Sequence, residues 1–196
     1  MGSQPLIVAI DEGTTSTRAV AFDLNGNIVA SEGAPLTQHY PRPGWVEHDA
    51  AEIWARTLAC LRTVADRVGA ANIAAIGITN QRETVVFWDK ASGEPLAPAI
   101  VWQDRRTADA CAAMKADGAE PAIQAKTGLL LDPYFSGSKI GWAMANWPEV
   151  AAAAKAGTLA LGTVDAYLLC RLTGQHLTDA TNASRTLLFD IRAGRW

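Results

Sequence analysis

Asp11-Glu-Gly-Thr-Thr-Ser-Thr-Arg18 gathers most of what a bound phosphate needs. A glycine-containing turn leaves backbone N–H groups open to an anion, and the hydroxyls of Thr14, Thr15 and Ser16 add donors. Arg18 supplies a planar, permanently charged fork. Asp11 suits Mg²⁺ held through water, because that ion takes few carboxylates and keeps much of its hydration. No Gly-Lys-Ser/Thr follows and the next element reads as strand, so this is not a Walker loop. The same residues equally make an ordinary hairpin turn, and spacing alone does not choose.

A second group, Asn80-Gln-Arg-Glu-Thr84, closes a predicted strand, where open α/β sheets bind their ligands. Arg82 only donates and Glu83 only accepts, so side by side they match hydroxyls, which do both. A surface ion pair is the competing reading. Trp102 offers an indole wall for the carbon face of a small polyol, and Tyr134 a phenol for one hydroxyl. Isolated aromatics also serve as core. Thr181-Asn-Ala-Ser-Arg185 contains an Asn-x-Ser sequon, but without a secretory leader it reads as a capping or cleft-lining loop.

These residues need positioning elements, and the hydrophobic pattern supplies them. Leu6–Ile10, Ala19–Phe22 and Ile28–Val29 read as three antiparallel strands, with Asn25-Gly26 suited to a type I′ turn between the last two. Residues 34–48, rich in proline, form a loop. Asp49 and Glu52 then make a capping box for a helix whose apolar face is Trp54, Leu58, Leu61, Ala65 and Val68. Ile73–Ile78 reads as a buried strand. Val85–Trp88 and Ala99–Trp102 read as a pair of strands around Ser92-Gly93. Helices follow over 104–117, up to Gly128, and over 138–146; a strand at 159–162 leads to a helix capped by Thr163 and closed by Gly174. The alanines at 151–154 favour helix.

Composition excludes several classes. The 196 residues are 49% hydrophobic and 19% charged, which describes a folded globular chain. Seventeen basic against twenty acidic residues leave a net charge of −3, no general grip on nucleic acid or an anionic membrane. No apolar stretch is long enough to span a bilayer, and no signal-type leader opens the chain. Cys60, Cys111 and Cys170 are widely spaced and read as buried thiols of a cytoplasmic protein; with His39, His48 and His176 apart from them, zinc is disfavoured.

Taken together, the segments resemble the FGGY carbohydrate kinase family. The resemblance runs through Ile7–Val20, Pro43–Asp49, Gly77–Thr84, Ile100–Gln103, Asp132–Lys139, Gly162–Asp165 and Thr178–Thr186, and Tyr134 to Asn146 is similar to the family's N-terminal signature. It implies an α/β, actin-like (ribonuclease H-like) domain whose mixed sheet opens with antiparallel strands and is flanked by helices. It implies ATP as phosphoryl donor, with Thr14, Thr15, Ser16 and Arg18 on the nucleotide phosphates and Asp11 near Mg²⁺. Arg82, Glu83, Trp102 and Tyr134 match the pocket for glycerol, and the Gln-Arg-Glu segment favours glycerol over pentuloses. The implied reaction gives ADP and sn-glycerol 3-phosphate; the alternatives are another sugar kinase of the family or a non-catalytic actin-like binding domain.

Glu12 departs from the pattern, standing where members acting on glycerol usually carry Gln. A carboxylate beside a polyphosphate repels it unless it points away or is neutralised by Arg18 or the metal. Family members are also well over twice as long. Residues 1–196 therefore read as an incomplete N-terminal domain without its C-terminal partner. No residue here is assigned as general base, and the isolated chain is expected to be inactive. Family members often form dimers or tetramers, so a homo-oligomer is compatible with the resemblance.

Overall fold

β1 (Leu6–Glu12) alternates inward Leu6, Val8, Ile10 and Glu12 with outward Ile7 and Asp11, so the period of two that buries the aliphatic residues also buries a carboxylate. The computed structural model describes residues 5–196. Two units are present: residues up to Thr37 with Ala51–Gln81, and Gln38–Ala50 with Arg82–Trp196.

In the first unit β1, β2 (Ser16–Phe22) and β3 (Ile28–Pro35) are antiparallel neighbours, as the sequence predicts. The turn from β2 to β3 is not type I′. Gly26 N donates to Asp23 O, and Gly26 alone has a positive φ, of 82°. Asp23 caps the turn, its carboxylate accepting from Asn25 N and Asn27 N, which stabilises one left-handed residue rather than two.

β5 (Ile73–Asn80) runs parallel to β1 and ends the order β3-β2-β1-β5. It is not the buried strand expected from its composition: Ile76 is 46% exposed. It pairs with β1 on one side only, and among the described residues little packs over its faces, most of its residues being exposed.

The long helix α1 (Ala50–Val68) buries Ile53, Thr57, Cys60, Leu61 and Val64, one residue off the predicted apolar stripe. Trp54, Leu58, Ala65 and Val68 are only half-buried. Thr57 faces inward because it has a polar partner there. Glu52 does not close a capping box; its carboxylate accepts from Thr37 N and Thr37 Oγ1.

The second unit is built on an antiparallel sheet of order β4-β7-β6-β8, with β4 (Glu47–His48), β6 (Val85–Asp89), β7 (Ala99–Ile100) and β8 (Leu159–Thr163). The predicted pair 85–88 and 99–102 touches only at Val85 and Ile100, and β6 pairs along its length with β8. The Ser92-Gly93 turn instead folds residues 94–96 back on β6, with Asp89 N donating to Glu94 O and Leu96 N to Phe87 O.

Helices α2 (Ala108–Ala116), α3 (Glu120–Thr127), α4 (Ser136–Asn146), α5 (Pro148–Ala156), α6 (Val164–Thr173) and the short α7 (Ala180–Ala183) complete it. Val85, Phe87 and Ile100 pack with Ala143 and Val150, and with Trp142 and Trp147 at the margin. Cys60 and Cys111 are buried free thiols, and Cys170 is half-buried. Among the described residues, no helix is long and apolar enough to cross a membrane.

Candidate functional site

The first unit holds Asp11, Thr14, Thr15, Ser16 and Arg18 on one hairpin. Gly13 N donates to Ser16 O at 2.9 Å, closing the turn, and a Cβ at Gly13 would stand 3.1 Å from that same oxygen. Three more carbonyls of the turn are occupied. Gln81 N donates to Glu12 O at 2.7 Å, Gln81 Nε2 to Gly13 O at 3.1 Å, and Leu36 N to Thr15 O at 2.9 Å. With these acceptors engaged inward, the hydroxyls of exposed Thr15 and half-buried Thr14 and Ser16 make the outer surface donor-rich, which suits an anion.

Asp11 and Arg18 are cross-strand partners, both exposed. Among the described residues no three His, Cys, Asp or Glu side chains converge. Asp11 therefore offers one carboxylate, which fits Mg²⁺ shared with waters and phosphate oxygens and does not fit a metal needing several protein ligands.

Glu12 points away from the hydroxyls. Its Oε2 accepts from Thr57 Oγ1 at 2.8 Å, and Thr57 and Thr17 hydroxyls lie 3.2 Å apart. Burial pushes the Glu12 carboxyl up to about 7, against the lowering effect of the Thr17 and Thr57 hydrogen bonds. The departure from Gln is thus accommodated by direction and by desolvation, and neither Arg18 nor a metal is needed.

The second unit holds Arg82, Glu83, Trp102 and Tyr134. Glu83 has φ 66°, a conformation uncommon for a residue with a side chain, and Ser136 Oγ donates to its carbonyl at 3.1 Å. The Trp102 and Tyr134 rings meet at 5.4 Å and 60°, and Trp102 N donates to Thr84 Oγ1. Arg82 is exposed and does not pair with Glu83; the partner of Glu83 is Arg185, whose Nε donates to Oε1 at 2.6 Å. Arg185 also lies over Phe135 at 4.8 Å and Tyr134 at 5.7 Å. Glu83, Arg185, Tyr134 and Trp102 thus form one contact chain of acceptor, donors and aromatic wall.

Two further residues shape this group and were not foreseen. Lys139, fully buried on α4, donates to the carbonyls of Pro133, Tyr134 and Phe135. Desolvation lowers its ammonium to about 8, partly opposed by Asp104 and Glu83. Arg185 lies within the segment read as a capping or cleft-lining loop, and the capping half of that reading holds for its neighbours. Asp179 Oδ1 accepts from Asn182 N at 2.8 Å, and Asn182 is buried, which also removes the sequon from a modifying enzyme's reach. No spacing links positions 83 and 185. The only signal touching Lys139 is its place in Tyr134–Asn146, the stretch similar to the family's N-terminal signature. A separate cavity of about 440 Å³, lined by Leu161, Gly162, His176 and Trp196 among others, includes none of the predicted site residues.

An antiparallel trio extended by a parallel strand, with its turn of hydroxyls at the end of the first strand, defines an actin-like ATPase domain of the kind found in sugar kinases. Residues 6–196 match the FGGY family of carbohydrate kinases, N-terminal domain, and the chain belongs to that family. It is 58% identical to glycerol kinase of Rhodopseudomonas palustris over 98% of this chain and 39% of that relative. The crystal structure of Plasmodium falciparum glycerol kinase with ADP superposes with a TM-score of 0.92 at 39% identity, over 100% of this chain and 40% of that one. Gluconate kinase from Lactobacillus acidophilus gives 0.89 at 26% identity, covering 99% and 38%. The chain thus spans about two fifths of the length of the relatives it matches.

Proposed function

We propose that this chain works as the N-terminal part of an ATP-dependent glycerol kinase, transferring the γ-phosphoryl group of ATP to the 3-hydroxyl of glycerol to give sn-glycerol 3-phosphate. The observation that carries the reading is the Glu83–Arg185–Tyr134–Trp102 chain, a small site with one free acceptor, several donors and an aromatic wall. Such a site suits a short polyol, and unpaired polar groups would penalise a ligand lacking a hydroxyl. The 58% identity to a glycerol kinase supports glycerol within the family.

Thr14, Thr15 and Ser16 hold phosphate oxygens and Arg18 balances their charge, while Asp11 would hold Mg²⁺. That metal, when bound, neutralises charge on the transferring phosphate. Glu83 accepts from one glycerol hydroxyl, Arg82 and Tyr134 address the others, and Trp102 covers the carbon backbone. Phosphoryl transfer depends almost wholly on such positioning and charge stabilisation. No residue of this chain is assigned as the base that receives the hydroxyl proton, and the enzyme works in the reducing cytoplasm.

Initial rates of the full-length enzyme with glycerol, xylulose and gluconate test the reading. Turnover confined to glycerol is expected, and preference for xylulose or gluconate overturns it. Residues 1–196 alone are expected to give no turnover above background in the coupled assay.

A further inference from the structure

The predicted polyol residues include one guanidinium, Arg82, yet the guanidinium that reaches Glu83 belongs to Arg185. The geometry of that pair is unusual for a purely structural bridge. A carboxylate whose side chain is only 3% exposed meets an arginine that is 27% exposed. Structural pairs of this kind commonly use two parallel N–H···O bonds. Here a single bond runs from Nε to Oε1. Glu83 Oε2 and the terminal amino groups of Arg185 have no hydrogen-bond partner among the described residues. A nearly buried acceptor and adjacent donors thus remain for something else.

The surroundings hold this arrangement in place. Arg185 is laid on the rings of Phe135 and Tyr134, which fixes the plane of its guanidinium. Glu83 is kept at φ 66° by the bond from Ser136 Oγ to its carbonyl. Strain of this sort persists where the surrounding structure over-determines it, as at binding sites. Gly137 allows the segment after Arg185 to approach, since a Cβ there would stand 2.9 Å from Thr186 O.

We infer that Arg185 is a positioning residue of the polyol site, holding one oxygen of the Glu83 carboxylate so that the other accepts a substrate hydroxyl. The inference rests on the polyol-kinase reading given above and names a residue that reading did not include. Removing the guanidinium frees the carboxylate to turn and leaves it without its counter-charge. The effect falls on the polyol and not on the nucleotide.

The test is steady-state kinetics of the full-length enzyme with Arg185→Gln, Arg185→Lys, Glu83→Gln and the double variant Glu83→Gln/Arg185→Gln. Arg185→Gln is expected to raise KM for glycerol about tenfold or more while KM for ATP stays within about twofold. Arg185→Lys, which keeps the charge and protects the fold, is expected to recover part of that loss. In the Glu83→Gln background the Arg185→Gln change is expected to matter much less, the signature of a coupled pair. Equal rises in both KM values, or the same penalty with and without the Glu83 carboxylate, overturn the inference. Should the wild type prefer xylulose or gluconate, the glycerol reading fails; the same split measured on that substrate then supports Arg185's role, and its absence overturns it. A wild type that phosphorylates no polyol overturns both.

Discussion

Thr57 Oγ1 donates to Glu12 Oε2 at 2.8 Å, so the carboxyl at the end of β1 is held beneath α1 instead of among the hydroxyls of the turn. Burial raises that carboxyl from 4.5 to about 7. Below pH 4.5 the group is protonated in both states. Between 4.5 and 7 the unfolded chain releases its proton while the folded chain keeps it, so stability falls as pH rises, by about 3 kcal/mol over the window. Above 7 the loss is constant. Glu12→Gln keeps the shape and never ionises. It is expected to match the wild type near pH 4 and to exceed it by about 2–3 kcal/mol at pH 8. Urea unfolding at the two pH values checks this, and a pH-independent difference would refute it.

Gln81 acts on the same turn from the end of β5, with its backbone N–H on Glu12 O and its side chain on Gly13 O. Gln81→Ala keeps the backbone bond and removes the side-chain bond to Gly13 O, so the strand pairing survives while the turn gains freedom. The expected outcome is a several-fold rise in KM for ATP in the full-length enzyme with KM for glycerol unchanged, and a stability loss of about 1 kcal/mol. A rise confined to glycerol would show that the turn does not serve the nucleotide.

Much of this architecture was legible because it is local. The β1–β2–β3 succession follows from alternation, and the glycines at 118, 128 and 174 do end helices with positive φ. What was misread depended on partners distant in sequence. The inward face of α1 is rotated by one position because Thr57 answers a carboxylate 45 positions earlier. β6 pairs with β8 across about 70 residues, in preference to its sequence neighbour, because β8 offers a full-length antiparallel edge. At the site, residue types drew attention to Arg82, Glu83, Trp102 and Tyr134, whereas Arg185 lies 102 positions from Glu83 in a segment read as a capping or cleft-lining loop, and nothing in that segment points to Glu83.

Lys139 provides a test of how the Tyr134 loop is held. Its ammonium is surrounded by three consecutive carbonyls and is fully buried. Lys139→Met preserves much of the volume but leaves those oxygens without their donor. A loss of about 2–4 kcal/mol is expected, together with weaker glycerol binding. Chemical denaturation and calorimetric titration with glycerol measure the two effects. A variant as stable as the wild type would mean that the carbonyls find other donors.

The largest single loss is expected at Arg106, whose side chain is fully buried. Its Nη2 reaches Glu47 Oε1 at 2.7 Å and Asp104 Oδ2 at 2.8 Å, and its Nε reaches Asp104 Oδ1 at 2.9 Å. The guanidinium also lies 3.8 Å from the Trp45 ring centroid and 4.6 Å from that of Trp142. Asp104 in turn accepts from Val46 N at 2.7 Å, so the arginine secures the loop that leads into β4. Arg106→Leu leaves two carboxylates without their cation and is expected to cost about 3–5 kcal/mol. Arg106→Lys keeps the charge but loses the fork and the flat stacking surface, so it recovers only part of that cost. Adding Asp104→Asn to Arg106→Leu removes one of the stranded charges and is expected to restore some stability, which thermal unfolding of the three variants would reveal. If Arg106→Lys is indistinguishable from the wild type, charge alone holds the cluster and the tryptophans contribute nothing beyond their burial.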